Sequence, residues 1–309
     1  MVDKDIETVE NKQILGINPG VFYGLAAALI WSGFILVSRQ GGVSPLNSFD
    51  VITIRYLTCS LLLLPIWWFK FRFNVFQPRF IIISVIGGLA YALFTFQGFQ
   101  IASASHAAIL LPGLIPLFLI LLATFVDKGK VPLNKWLGLA LISLSIAALI
   151  WPLLKTGHGI NNGHLFLAAG AFCWALFSIL IKRWEITPWQ VTVCLAFLTC
   201  CLYLPIYVLF LPKNIALDIW QDIALQAFYQ GFMATIVQMI FYVKAVRSIG
   251  AGAMGSIMAI VPIISGLGAV YIFSEPLTSA LVIGLIGVST GAIIVHTKIP
   301  FLLSKKASK

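Results

Sequence analysis

Val261-Pro262-Ile263-Ile264-Ser265-Gly266-Leu267-Gly268-Ala269-Val270-Tyr271-Ile272 contains no charged side chain and no alternation of apolar with polar residues. A membrane barrel strand alternates, because one face meets lipid and the other the lumen. The run at 142–150 does not alternate either. Helices and closed barrels are the two backbones whose polar groups can be satisfied inside a bilayer. These runs therefore read as helical membrane spans, which need about 20 apolar residues to cross roughly 30 Å of hydrocarbon.

Working outward from residue 261, ten such stretches can be marked, at about 19–38, 49–69, 80–100, 104–126, 135–153, 162–182, 188–211, 219–246, 250–273 and 278–297. The composition agrees. Of 309 residues, 60% are hydrophobic and 10% charged, where a soluble domain carries about 25% charge. The expected fold class is all-α integral membrane. No single stretch is a metal-ligand or nucleotide-binding motif, and no cofactor is expected.

Charge gives the expected orientation. With ten spans and a cytoplasmic N-terminus, sixteen of the twenty Lys and Arg residues fall inside, among them Lys70, Arg72, Arg79, Lys182, Arg183, Lys244 and Arg247. Arg39, Arg55, Lys155 and Lys213 fall outside or in outer halves. This is the positive-inside pattern, and both termini are expected in the cytoplasm. The net charge of +10 then marks topology, and no basic soluble domain offers a surface to nucleic acid. Asp3, Asp5, Glu7 and Glu10 make the N-terminus acidic, unlike a signal peptide. Residues 1–18 are expected as a disordered cytoplasmic tail and 298–309 as a basic cytoplasmic one. Cys59, Cys173, Cys194, Cys200 and Cys201 lie within the apolar spans and read as small core residues.

The sequence repeats. Ala27-Ala28-Leu29-Ile30-Trp31 is echoed by Gly170-Ala171-Phe172-Cys173-Trp174, each followed by an apolar turn and a basic end. The small-residue entry Ile101 to Ala108, leading to Pro116, matches Arg247 to Met254, leading to Pro262. Leu137-Gly138-Leu139 and Ile283-Gly284-Leu285 follow at the same offset. Two five-helix units are implied, at 19–153 and 162–297. An odd number of spans per unit turns the second upside down, the inverted-repeat architecture of many carriers.

With Ser274-Glu275-Pro276-Leu277-Thr278 before a Gly-rich last helix, this ordered set, occurring twice, resembles the EamA-type transporters of the drug/metabolite transporter superfamily. The resemblance covers about residues 20–297. It implies ten helices in two inverted repeats around a central cavity, and secondary transport of small organic solutes. One place departs: Glu275 lies nine residues before Gly284, but the matching position before Gly138 is Gly129, with Asp127 the nearest acid.

Several residues are candidates for contact with a solute. Ionisable groups in a span face protein or water, so Arg55 either attracts an anionic solute or pairs with Asp50 or backbone carbonyls. His106, at the outer entry of the fourth span, suits proton handling or satisfies the loop there. Trp31 and Trp174 sit mid-span, away from the interfacial belt, as cavity walls or packing. Gly88, Tyr91 and Thr95 share one face at i, i+3 and i+7; Gln230, Ala234, Gln238 and Tyr242 share another at spacing four. Their polar groups either hydrogen-bond a neutral or zwitterionic solute or bond between helices. Pro112, Pro116 and Pro262, with Gly252 and Gly255, are gating or packing positions.

The ten acids, Asp3, Asp5, Glu7, Glu10, Asp50, Asp127, Glu185, Asp218, Asp222 and Glu275, all fall outside the deep parts of the spans. A carboxylate proton relay is not expected. The expected function is an exporter, exchanger or facilitator of small metabolites, amino acids or aromatic or zwitterionic solutes among them, by alternating access in a plasma or bacterial inner membrane. The partners are a small-molecule solute and the lipid bilayer, for a monomer or homodimer. The alternatives are a membrane enzyme acting on lipid, which needs clustered acids or histidines at one face, and a channel, which needs a ring of repeated polar residues.

Overall fold

The computed structural model describes residues 18–70, 72–127, 131–155 and 160–297. The expectations for the two tails, for Lys128 and Lys130 and for Gly129 lie outside these residues. Among them every secondary-structure element is a helix. The elements are α1 (Pro19–Val43), α2 (Ser48–Phe69), α3 (Pro78–Ile83), α4 (Tyr91–Ile101), α5 (Ala104–Asp127), α6 (Leu133–Lys155), α7 (Asn162–Arg183) and α8 (Pro188–Phe210). α9 (Trp220–Gln226), α10 (Gln238–Met258), α11 (Val261–Phe273) and α12 (Ser279–His296) complete them.

The helix starts are written in the sequence. Asn47 caps α2 by accepting from the Asp50 N–H, while the Asp50 side chain accepts from the Asn47 N–H. Asn161 with His164 does the same for α7, and Thr187 with Gln190 for α8. Each is a reciprocal capping box, which satisfies two otherwise orphaned donors. α3 and α4 are joined through a π-helical segment, Ser84–Ala90, and α9 and α10 through another, Ala227–Val237. Both interruptions fall in the third span of their repeat.

Among the described residues nine helical stretches are long and apolar enough to cross a bilayer. The ninth expectation differs because Leu217–Phe273 forms one stretch of 57 residues. A straight helix of that length would run about 85 Å, far more than a bilayer needs. It is not straight: Gly250 stands at φ 83°, ψ 158°, in the left-handed half of backbone space that favours glycine, and a turn at residues 259 and 260 separates α10 from α11. The narrow gap expected between the third and fourth spans is present as Ala102 and Ser103.

The packing pairs elements of the two repeats. α2 lies along α8, α5 along α11, and α6 along α12; α4 packs on α7 and α1 on α10. Glycine lets some of these approach closely. A methyl group at Gly138 of α6 would meet the Gly291 carbonyl of α12 at 2.6 Å, and one at Gly87 would overlap the Phe177 ring. Small residues at such crossings replace the hydrophobic drive that lipid removes.

Candidate functional site

The polar centre of the bundle is built on Arg55. It lies on the eighth residue of α2, about 10 Å along the axis from Ser48. Arg55 Nη1 donates to Gln230 Oε1 at 3.2 Å, and Gln230 Nε2 donates to Ser38 Oγ at 3.0 Å. Ser38 in turn donates to the Phe34 carbonyl one turn back in α1. The guanidinium carbon lies 5.3 Å from the Phe34 ring centre and 5.8 Å from those of Tyr56 and Phe96. Three aromatic faces at this range stabilise a cation out of water. Arg55 Nε is buried without a hydrogen-bond partner among the described residues.

Gln230 is fully buried and belongs to the π-helical segment. A π-turn takes about one residue more than an α-turn and leaves a carbonyl out of the regular ladder. Here the Thr235 hydroxyl donates to the Gln230 carbonyl at 2.7 Å. Burial changes along the expected face: Gln230 is 0% exposed and Tyr242 is 37% exposed. Gln238 is half-buried between them. At 3.6 residues per turn, three steps of four residues turn about 120° off the starting face.

On the third span Gly88, Tyr91 and Thr95 are all buried. Tyr91 stacks obliquely on Trp174, with ring centres 4.8 Å apart, and lies within electrostatic reach of Arg55. Thr95 is fully buried against Gly170 of α7, and its hydroxyl finds no partner at hydrogen-bonding geometry among the described residues. Gly88 stands against Thr199 of α8. Trp31 is half-buried on the edge of the same core, without a ring contact to Trp174 among the described residues.

His106 belongs to a second cluster, at the end of the bundle where α4 gives way to α5. Its Nδ1 lies 3.0 Å from Nε2 of His164 on α7. Glu275 reaches the same junction: its two oxygens accept from the Ala104 and Ser105 N–H groups at 2.7 and 2.9 Å. Arg39 Nη1 donates to the Phe99 and Gln100 carbonyls, at 2.9 and 2.8 Å, at the end of α4. Asp50 is not the partner of Arg55. It accepts from Tyr207 Oη at 2.6 Å and from the Asn47 and Asn214 N–H groups.

The proline and glycine positions divide. Pro112 and Pro116 lie inside α5, half-buried, each removing a hydrogen bond to a carbonyl four residues back. Pro262 stands in the first turn of α11, where its missing N–H costs nothing. Gly252 and Gly255 face the end of α12: a methyl group at Gly255 would meet the His296 ring at 2.5 Å. Both are packing positions in this conformation.

Sequence reading missed Ser38, Phe34, Phe96 and His164. Ser38 and the two phenylalanines look like ordinary span residues. His164 had a signal, the Asn161-x-x-His164 spacing of a capping box. No group of three or more His, Cys, Asp or Glu side chains able to hold a metal occurs among the described residues.

The fold and this interior define a multi-pass, all-helical membrane protein with a polar, aromatic-lined centre shared between two halves. The EamA-like transporter family model matches the chain twice, at residues 18–151 and 161–297, and the chain belongs to that family. It is similar to a Bacillus subtilis (strain 168) protein described as "Uncharacterized transporter YyaM", 24% identical over 197 residues. That match takes in 60% of this chain, and the chain spans 62% of the relative's length. A solved structure described only as "Crystal structure of protein" shares the fold, with a TM-score of 0.58 and 21% identity over 89% of this chain and 96% of that one.

Proposed function

We propose that this protein is a secondary transporter of small organic metabolites, working by alternating access and not as an enzyme. The observation that carries the reading is the chain of contacts from Arg55 through Gln230 to Ser38. It joins α1 and α2 of the first repeat to the π-helical segment of the second, where a carrier with two repeats holds its solute.

The finer architecture belongs to the same proposal. There are ten spans, because Leu217–Phe273 crosses twice with its turn at Gly250. The repeats, at 19–153 and 162–297, are inverted, and both termini are cytoplasmic in a plasma or bacterial inner membrane. Two features support inversion: the third span of each repeat carries a π-helical segment, and the α4–α7 packing has its counterpart in α1–α10. The solute-facing residues are Arg55, Tyr91, Thr95, Trp174 and Gln230, with Trp31 and Gln238 at the margin. His106 acts at the end of the bundle.

Counterflow in liposomes tests this. Vesicles holding purified protein are preloaded with unlabelled amino acids, 2-oxo acids, nucleosides and amines, and labelled members of each class are offered outside. Transient accumulation of one label, lost in Gln230→Leu, is the expected result. Absence of accumulation in every class by folded, inserted protein overturns the carrier reading.

A further inference from the structure

The polar centre holds a cation without an anion. Among the described residues no carboxylate oxygen lies in ion-pair range of Arg55, and the two acids nearest the bundle interior are committed elsewhere. Asp50 is taken by Tyr207, Asn47 and Asn214, and Glu275 by the first N–H groups of α5. Glu185 and Asp218 are exposed, and Asp222, half-buried on α9, makes no ion pair with Arg55. An arginine at membrane depth is costly unless something of opposite charge or strong dipole faces it. The three aromatic rings and the Gln230 amide meet part of that need, yet Nε is buried without a partner.

Arg55 is also not closed off. Its neighbours Phe34, Tyr56, Phe96 and Gln230 are all buried, on inward faces of α1, α2, α4 and the π-helical segment. Arg55 itself keeps partial exposure. A half-exposed guanidinium among buried neighbours would meet a ligand through a space between helices. A guanidinium with free donors in such a space matches the planar, two-oxygen geometry of a carboxylate. The wall beyond it, Tyr91 on Trp174, is aromatic.

We infer that Arg55 is the anion-binding group of the solute pathway, and that its ligand is a monocarboxylate with an apolar or aromatic body and no ammonium group beside the carboxylate. The inference rests on the bundle being a solute pathway. An α-ammonium would be held next to a like charge, with Asp50 and Glu275 already committed to other donors. The class is therefore that of 2-oxo acids and aryl or branched-chain carboxylates, in preference to the corresponding amino acids.

The test varies charge on a fixed skeleton. Phenylpyruvate, L-phenylalanine and 3-phenylpropanamide form one series; 4-methyl-2-oxopentanoate, L-leucine and 4-methylpentanamide form the other. Binding to the whole purified protein is read from tryptophan fluorescence and from thermal stabilisation. In at least one series the anion should bind about tenfold or more tighter than the zwitterion and the amide. Arg55→Gln should abolish that preference and Arg55→Lys retain part of it. If Arg55→Gln does not fold, the order of the three ligands on wild-type protein still decides.

Equal binding of anion and zwitterion, a preference that survives Arg55→Gln, or no binding of either anion to folded protein overturns the inference. Anion binding without counterflow leaves the inference standing and removes the carrier reading. Counterflow of amines or nucleosides alone does the reverse.

Discussion

Nδ1 of His106 and Nε2 of His164 face each other across 3.0 Å, joining the first turns of α5 and α7. The donor can be assigned. The Asn161 N–H donates to His164 Nδ1 at 3.2 Å, so that nitrogen carries the lone pair and Nε2 carries the proton. His164 donates and His106 accepts, a tautomer fixed by the capping box. Two helices from different repeats are thereby tied through a helix cap.

The first prediction concerns this tie. His164 is buried, so His106→Ala leaves its Nε2–H without a partner and should cost about 1–3 kcal/mol of stability. His164→Ala loses that bond and the cap together, and should cost about 1 kcal/mol more. In a double-mutant cycle read from thermal unfolding in detergent, the two changes should be less than additive. Strict additivity would mean that the rings do not interact.

Glu275 and Arg39 supply the second prediction. They hold the two sides of the break at Ala102 and Ser103: the carboxylate takes the first N–H groups of α5, and the guanidinium takes the last carbonyls of α4. Each charge complements the dipole of the helix end it caps. Glu275→Ala should cost about 1–2 kcal/mol, and Glu275→Gln, which keeps one accepting oxygen, about half of that. The order Ala, Gln, wild type in melting temperature checks it. Equal loss for Ala and Gln would assign Glu275 a role other than capping.

The third prediction separates two glycines on neighbouring helices. An alanine methyl at Gly113 would meet side-chain carbons of Ile146 and Val288 at 3.3 Å, which can give by a few tenths of an ångström. At Gly138 it would meet the Gly291 carbonyl at 2.6 Å and the Val295 nitrogen at 2.9 Å. Those atoms belong to the backbone of α12 and cannot retreat without separating the helices. Gly113→Ala should change stability by less than about 0.5 kcal/mol, while Gly138→Ala should cost about 1–3 kcal/mol. Thermal unfolding of both variants in the same detergent tests the contrast.

What the sequence made legible follows from how local each signal is. The apolar runs announced their own helices, and Arg55 stood out because a charge in such a run needs an interior reason. The capping boxes at Asn47 and Thr187 also sit within four residues, but they went unread. The π-helical segments left no local mark. Gln230 and Tyr242 stand three steps of four apart, and a period of four drifts by about 40° per step at 3.6 residues per turn, so the two differ in burial. Ser38 and Phe96 are ordinary residues in their own spans; only the packing of α1, α2 and α4 brings them to Arg55. The uncommitted state of Arg55 was likewise invisible, because Asp50, five residues away, is drawn off by Tyr207 from α8.

The last prediction concerns how often Leu217–Phe273 crosses the membrane. Lys213 precedes this stretch and Leu277 follows it, both exposed. If the stretch crosses once, cysteines at the two positions react from opposite sides. If it turns at Gly250 and crosses twice, they react from the same side, and one at the exposed Arg247 reacts from the other. With the five native cysteines replaced, Lys213→Cys and Leu277→Cys should label with an impermeant maleimide in intact cells. Arg247→Cys and Lys182→Cys should label only after permeabilisation, as the placement of basic residues requires. The turn itself can be probed. Nothing lies within 4 Å of a methyl group at Gly250, whose φ is +83°, so Gly250→Ala tests backbone strain alone and should cost about 1 kcal/mol. Labelling of 213 and 277 from opposite faces would remove the tenth span, and with it the five-span form of the second repeat.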